Sequence, residues 1–135
     1  MSVLINVFNS SGKQPLPNKK LADVVRIVLK KEKIKKAKIN IVLVDNDELR
    51  KLNKKFLNHN YNTDVISFDI SEEFLEGEIY ISVDKAIEQT DEYKVSLTKE
   101  LMRLAIHGAL HLAGYDDSTN NERNKMTALE NAYLS

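Results

Sequence analysis

The chain contains no cysteine, and it has only two prolines and four glycines among its 135 residues. The absence of cysteine excludes disulfide bonds and thiolate metal sites, so any transition metal must be bound by histidine nitrogen or carboxylate oxygen. The candidate metal ligands are therefore the three histidines and the acidic residues. The sequence also lacks internal repeats, low-complexity tracts and long linkers, and we expect one domain over residues 1–135.

The sequence has no apolar run of the length needed to cross a membrane, which is about 18 residues or more. Its first residues also lack the basic, apolar and small-residue regions of a signal peptide. We therefore expect a cytoplasmic protein that does not associate with membranes.

The chain has no formal net charge, because 20 basic side chains balance 20 acidic ones. The two signs are nevertheless segregated: residues 13 to 38 contain ten Lys or Arg, and residues 69 to 92 contain nine Asp or Glu. The lysine run from Lys30 to Lys36 is either a phosphate-binding patch or the solvated end of a helix, whose C-terminus favours cations. Charge alone favours the second interpretation.

Hydrophobic periodicity predicts a sheet of about four strands packed with helices. The strands are predicted at residues 3–8, 38–44, 63–70 and 78–83, with an acidic turn at Gly77 that makes the last two a hairpin. The helices are predicted after Pro17, at 47–57, at 86–93, at 97–113 and after a capping box formed by Thr119 and Glu122. The polar residues 58–62 are expected to form a loop.

His107 and His111 are four residues apart on the predicted fourth helix, so both imidazoles project from one face, as a helical metal site requires. Gly114 is expected to end this helix and reverse the chain, which allows Asp116 or Asp117 to supply an oxygen ligand. Three protein ligands with an open position are typical of a catalytic site. The alternative is a pair of hydrogen-bonded core histidines, but core packing does not require a glycine and two acids directly afterwards.

Two charged residues precede the histidines on roughly the same helix face. Glu100 and Arg103 lie seven and four residues before His107, and we expect them to orient the ligands or a substrate. We therefore take His107, Arg103 and Glu100 as the candidate catalytic residues.

The spacing His107-x3-His111-x2-Gly114-x2-Asp117 is that of the metzincin proteases, with Asp in place of their third His. Those enzymes carry a glutamate directly after the first histidine as the general base. This chain has Gly108 there, which cannot transfer a proton. Peptide hydrolysis would need a base from elsewhere, such as Glu100.

The segment HGALHLAGYDD, residues 107–117, resembles the signature HGxLHLxGYDH of the YbeY family of bacterial endoribonucleases. A second family block is similar to Leu52-Asn53 followed by TDVISF at residues 63–68, and a third is similar to GEIYIS at residues 77–82. The resemblance covers nearly the whole chain, in order and at suitable spacing.

This resemblance implies an α+β fold with a mixed sheet and a central helix that carries the metal motif. It also implies a zinc-dependent, single-strand-specific endoribonuclease that acts on ribosomal RNA during ribosome maturation and quality control. One divalent ion, zinc by expectation, would be bound by His107, His111 and Asp117, with Asp116 as a structural acid of the turn. The expected partners are ribosomal RNA and the ribosome or proteins associated with it.

The chain departs from the family pattern at two positions. Asp117 replaces the final histidine, which zinc tolerates but which can shift the preference towards harder ions. Leu57 replaces an arginine, which removes a cation suited to stabilising charge on a scissile phosphate. Lys54, Lys55 or His59 are candidates to substitute for it, although His59 is more simply an exposed loop residue.

The remaining candidate substrate contacts are Asp64 and Ser67 of the second family block and two aromatic residues. Tyr61 and Tyr115 are suited to stacking on unpaired bases, whereas the structural alternative for each is loop packing. Two other functions stay open: an amide hydrolase related to metallopeptidases, and a ribosome-assembly binding protein that retains the metal for stability.

Overall fold

A computed structural model describes residues 2–59, 63–71 and 73–135 and places the strands in one sheet. The sheet has the order β1-β2-β4-β3, with β1 parallel to β2, β2 parallel to β4, and β3 antiparallel to β4. The strands are β1 (Val3–Asn9), β2 (Ala37–Val44), β3 (Val65–Asp69) and β4 (Leu75–Ser82). The predicted mixed sheet and the predicted hairpin are confirmed.

Five helices pack on this sheet: α1 (Asn18–Lys31), α2 (Asn46–Leu57), α3 (Val83–Tyr93), α4 (Leu97–Leu112) and α5 (Asn120–Leu134). The predicted α+β class is therefore confirmed. The predicted loop at 58–62 is described only as far as His59, and Tyr61 lies outside the described residues. No helix in the described part of the chain is long and apolar enough to span a membrane.

The start of β4 differs from the prediction, because Gly77 lies inside the strand and not in the preceding turn. It pairs with Ile39 of β2 on one side and Asp69 of β3 on the other. A Cβ atom at this position would lie 2.8 Å from Cδ1 of Leu112. Gly77 therefore allows the end of α4 to lie against the sheet, which is a tertiary reason that local turn propensity does not contain.

Successive side chains of the strands point to opposite faces, and each face has its own helices. One face packs against α1 and α4 around fully buried strand residues, namely Ile39, Ile41, Leu43, Ile79 and Ile81. The other face packs against α2 through a smaller cluster of Val44, Leu49 and Ile66. Helix α4 also contacts α1, α3 and α5, so it is the central helix that the sequence predicts.

Gly108 allows α4 to pack closely against the sheet. A Cβ atom at this position would lie 2.6 Å from Cγ2 of Ile79 and 3.1 Å from Oγ of Ser67. The Ser67 hydroxyl donates a hydrogen bond of 3.2 Å to the Gly108 carbonyl. Position 108 therefore faces the sheet, and a larger side chain there would push the helix away from β3 and β4.

The chain reverses after α4 as predicted. Gly114 has a φ of +106°, which only glycine adopts readily, and its N–H donates to the His111 carbonyl. The predicted capping box is confirmed, with the Thr119 hydroxyl and the Glu122 carboxylate each accepting from the other residue's backbone N–H. The guanidinium of Arg123 donates to the Asp117 carbonyl at 3.3 Å, which holds the short loop over the end of α4.

Candidate metal centre

Two imidazoles and one carboxylate meet near the C-terminal end of α4. Nε2 of His107 lies 3.0 Å from Nε2 of His111, which is one helical turn away. Oδ2 of Asp117 lies 3.3 Å from Nε2 of His107 and 3.4 Å from Nε2 of His111. Of the two acids that the sequence offers in the loop, the structure thus brings Asp117 to the histidines, whereas Asp116 is exposed.

The spacing of these donor atoms fits one tetrahedral ion. Zinc binds histidine nitrogen and carboxylate oxygen at about 2.0–2.2 Å, which places two tetrahedral ligand atoms about 3.3–3.6 Å apart. The two separations that involve Asp117, 3.3 and 3.4 Å, lie in this range, and the two imidazole nitrogens are slightly closer at 3.0 Å. All three side chains are partly exposed, so an ion can reach them from solvent. The group formed by His107, His111 and Asp117 can therefore bind a metal ion.

Helix α5 supplies a partner to the other nitrogen of His107. Oε2 of Glu130 lies 2.6 Å from Nδ1 of His107, and the Glu130 side chain is only 5% exposed. Burial of the imidazole lowers the pKa of His107, but the hydrogen bond and charge of Glu130, with smaller effects from Asp117 and Asp64, raise it. The net result is a pKa above the usual histidine value, so a proton competes with a metal ion for Nε2, the nitrogen that does not contact Glu130.

The predicted catalytic residues Arg103 and Glu100 lie in the same buried network. Arg103 Nε donates to Glu100 at 3.0 Å, Arg103 Nη1 donates to Glu130 at 3.2 Å, and the Gln89 amide donates to Glu100 at 2.6 Å. Glu100 is 1% exposed and does not line the groove beside His111. Catalytic roles for Arg103 and Glu100 therefore stay predictions. Their hydrogen bonds favour a role in positioning neighbouring side chains.

An open groove of about 410 Å³ begins at His111 and runs along β3. Its described lining comes from the edge strand β3, the end of α2 and the segment after it, and α4, and it includes Ser67, Leu57 and His59. No lysine or arginine occurs among the described residues that line it. Leu57, which replaces the arginine of the family pattern, therefore lines the groove with an apolar side chain.

The other predicted substrate contacts are placed as follows. Asp64 precedes β3 and is close enough for its charge to raise the pKa of His107. Lys54 and Lys55 are exposed on α2 and do not belong to the described groove lining. The Tyr115 hydroxyl donates to Glu32 at 2.9 Å, and the Lys125 ammonium lies 5.4 Å from the centre of its ring. Substrate roles for these residues stay predictions.

Sequence reasoning missed Glu130. Met126, Leu129 and Tyr133 form an apolar stripe along the sequence of α5, and Glu130 lies four residues after Met126 on that same face. An acidic residue within an apolar stripe was the available signal, since a buried acid requires a partner. The identity of that partner depends on how α5 packs against α4.

The matches with known proteins cover nearly the whole chain. Residues 6–135 match the family model described as Endoribonuclease YbeY. The Endoribonuclease YbeY of Endomicrobium trichonymphae is 45% identical over 123 residues, covering 91% of this chain and 85% of that protein. The Endoribonuclease YbeY of Chloroherpeton thalassium is 38% identical over 135 residues, covering 99% of this chain and 94% of that protein.

A solved structure shows the same fold. The solution structure of a Thermotoga maritima protein aligns with a TM-score of 0.67 and 31% identity, covering 97% of this chain and 87% of that one. The signature around His107 and His111, the two further blocks and these full-length matches agree, and the chain belongs to the YbeY family.

Proposed function

We propose that this protein is a metal-dependent endoribonuclease that hydrolyses single-stranded RNA, with ribosomal RNA as its substrate. The observation that carries the proposal is the triangle of donor atoms from His107, His111 and Asp117 at one end of an open groove. Support also comes from the family, whose relatives carry the name endoribonuclease. The proposed setting is the cytoplasm, where the protein would meet the ribosome and proteins associated with it.

Zinc is the ion we propose, because two imidazoles and a carboxylate at tetrahedral spacing are a ligand set that zinc favours. When bound, a divalent ion supplies Lewis-acid chemistry that polarises a phosphate oxygen or lowers the pKa of a water molecule. The protein would contribute His107, His111 and Asp117 as ligands, and His111 also lines the groove in which a substrate would lie. Ser67, on the groove wall, donates its hydroxyl hydrogen to the Gly108 carbonyl, so its oxygen is left to accept a hydrogen bond, as from a ribose hydroxyl.

The packing of α4 favours a nuclease over a peptidase. In the metzincin arrangement, the residue after the first histidine supplies the general base. Here that residue is Gly108, and a Cβ atom on it would meet the sheet at Ile79 and Ser67. The position therefore has neither a base nor space for one beside the metal ligands.

The lysine run lies close to the metal-binding loop. Glu32 accepts hydrogen bonds from Tyr115, which lies between His111 and Asp117 in sequence, and from Tyr133 of α5. The lysines on either side of Glu32 are exposed. This arrangement supports the proposal that the run neutralises phosphates of RNA that extends beyond the metal site.

The test is a cleavage assay with metal-free protein titrated with zinc, manganese or magnesium. Labelled single-stranded RNA, the same RNA in a duplex, and casein are offered in parallel. We expect cleavage of the single strand that depends on the ion and is abolished by a chelator. Digestion of casein without RNA cleavage would overturn the proposal in favour of a peptidase, and metal binding with neither activity would favour a binding protein.

A further inference from the structure

A row of three buried polar or acidic side chains and one partly buried arginine lies beside His107 on the α5 side of α4. It consists of Glu130, Arg103, Glu100 and Gln89, each joined to the next by a hydrogen bond. The carboxylate of Glu130 has two oxygens and two partners: Oε1 accepts from Arg103 at 3.2 Å, and Oε2 lies 2.6 Å from Nδ1 of His107. Burial of these charges is tolerable only because each has a partner.

We infer that Glu130 is the positioning residue of the metal centre, because it determines which nitrogen of His107 is free to bind the ion. An ionised carboxylate can only accept hydrogen bonds, so Nδ1 of His107 must carry the hydrogen that it donates to Glu130. The lone pair of the neutral ring then lies on Nε2, the atom 3.0 Å from Nε2 of His111. Arg103 supports this arrangement by pairing with the other oxygen of Glu130.

This inference rests on the metal-binding part of the proposed function, and it makes Glu130→Gln an informative substitution. A glutamine has one acceptor oxygen for two donors, and the charged Arg103 competes for it more strongly than a neutral imidazole. The glutamine N–H group then faces Nδ1 of His107, which must accept. The hydrogen of His107 moves to Nε2, the atom that should bind the metal.

Glu100→Gln is the matched control. Glu100 is buried as Glu130 is and also pairs with Arg103, but its described partners are Gln89 and Arg103, not His107. A glutamine at position 100 can keep its oxygen on Arg103, and Gln89 can rotate its amide to accept from the new N–H group. The two variants thus remove the same charge from the same network, and they differ in contact with the metal ligand.

The experiment measures zinc affinity by chelator competition and the melting temperature without metal. Imidazole ¹⁵N NMR of the metal-free protein, at a pH high enough for the His107 ring to be neutral, gives its tautomer. For Glu130→Gln we expect zinc affinity about 10–100-fold lower and an Nε2–H tautomer, whereas Glu100→Gln should stay within about 3-fold of the unmodified protein. Glu130→Asp retains two acceptor oxygens, so it should keep the Nδ1–H tautomer, with an intermediate loss of affinity.

Unchanged zinc affinity in Glu130→Gln would overturn the inference. Equal losses of affinity in Glu130→Gln and Glu100→Gln would also overturn it, because the network would then act through stability alone. If Glu130→Gln does not fold, Glu130→Asp decides: retention of the Nδ1–H tautomer supports the inference, and an Nε2–H tautomer overturns it. These measurements use no RNA. A negative result therefore counts against the role of Glu130, whereas the proposed nuclease function is tested separately by the cleavage assay.

Discussion

The two sides of the pair His107 and His111 are built differently. On the α5 side, Glu100, Arg103 and Glu130 are charged, largely buried and paired with one another. On the groove side, the described lining is mostly neutral and contains no lysine or arginine. The charged groups on the α5 side are paired with one another, and Glu130 also contacts His107. We therefore expect attraction of RNA phosphates to come from an ion at the site and from lysines farther away.

The largest expected effect comes from removing the residue that belongs to both sides. His111 contributes a donor atom to the cluster and also lines the groove. We expect His111→Ala to lower zinc affinity by more than about 100-fold, beyond the loss typical of an outer partner, and to abolish RNA cleavage. Zinc content by elemental analysis and single-turnover cleavage measure the two effects. The melting temperature of the metal-free variant should change little, because the side chain is partly exposed.

Asp117→Asn should have the next largest effect, since it removes the anionic ligand but leaves both histidines. We expect zinc affinity to fall by about tenfold or more, whereas Asp117→His should retain a three-ligand zinc site with altered metal preference. Asp116→Asn is the control, because Asp116 is exposed and adjacent in sequence. If the Asp116 variant loses zinc and the Asp117 variant retains it, the assignment of the third ligand is off by one residue.

A cation introduced on the groove side should show whether the missing positive charge limits the reaction. Leu57 lines the groove and is 43% exposed, so an arginine there can extend towards a bound phosphate. We expect Leu57→Arg to raise kcat/KM on single-stranded RNA by about tenfold, because a nearby cation stabilises charge that develops in the transition state. Ile87→Arg, on α3 at a position 39% exposed, adds the same charge elsewhere and should have little effect. Equal gains from both variants would mean that net charge, and not the groove, limits the rate.

The smallest effect concerns the lysine run. Lys30 and Lys35 line a shallow cavity at the end of α1 and are exposed. If both contact phosphates of a single strand, changing them to alanine should flatten the slope of log affinity against log salt by about 1.4. The double variant of Lys20 and Lys51, exposed lysines outside this run, is the control. An unchanged slope would indicate that the lysine run is only the solvated end of a helix.

Local patterns were sufficient to predict most of the fold. The strand at residues 38–44 and the capping box at Thr119 depend on neighbouring residues, and both were predicted from the sequence alone. The position of Gly77 was not predictable in this way, because its place inside β4 depends on the approach of Leu112 from α4. Strand boundaries set by tertiary contacts are therefore where the sequence prediction was wrong.

The residues of the candidate metal centre also differ in whether local sequence or tertiary packing brings them together. His107 and His111 are related by helical spacing, so the sequence alone makes them neighbours, and Gly114 makes a return of Asp117 expected. Glu130 is 23 residues from His107 in sequence, and only the packing of α5 on α4 brings the two together. The roles of Asp64, Lys54 and Lys55 at a substrate stay predictions for a similar reason, since they depend on a path for RNA that sequence spacing does not define.

The most direct test of the metal centre is anomalous diffraction at the zinc absorption edge from crystals grown with zinc. We expect a strong peak within about 2.0–2.2 Å of Nε2 of His107, Nε2 of His111 and a carboxylate oxygen of Asp117. The Nδ1 atom of His107 should remain in contact with Glu130. A zinc peak bound through Nδ1 of His107, or zinc bound elsewhere with these three side chains apart, would contradict the account.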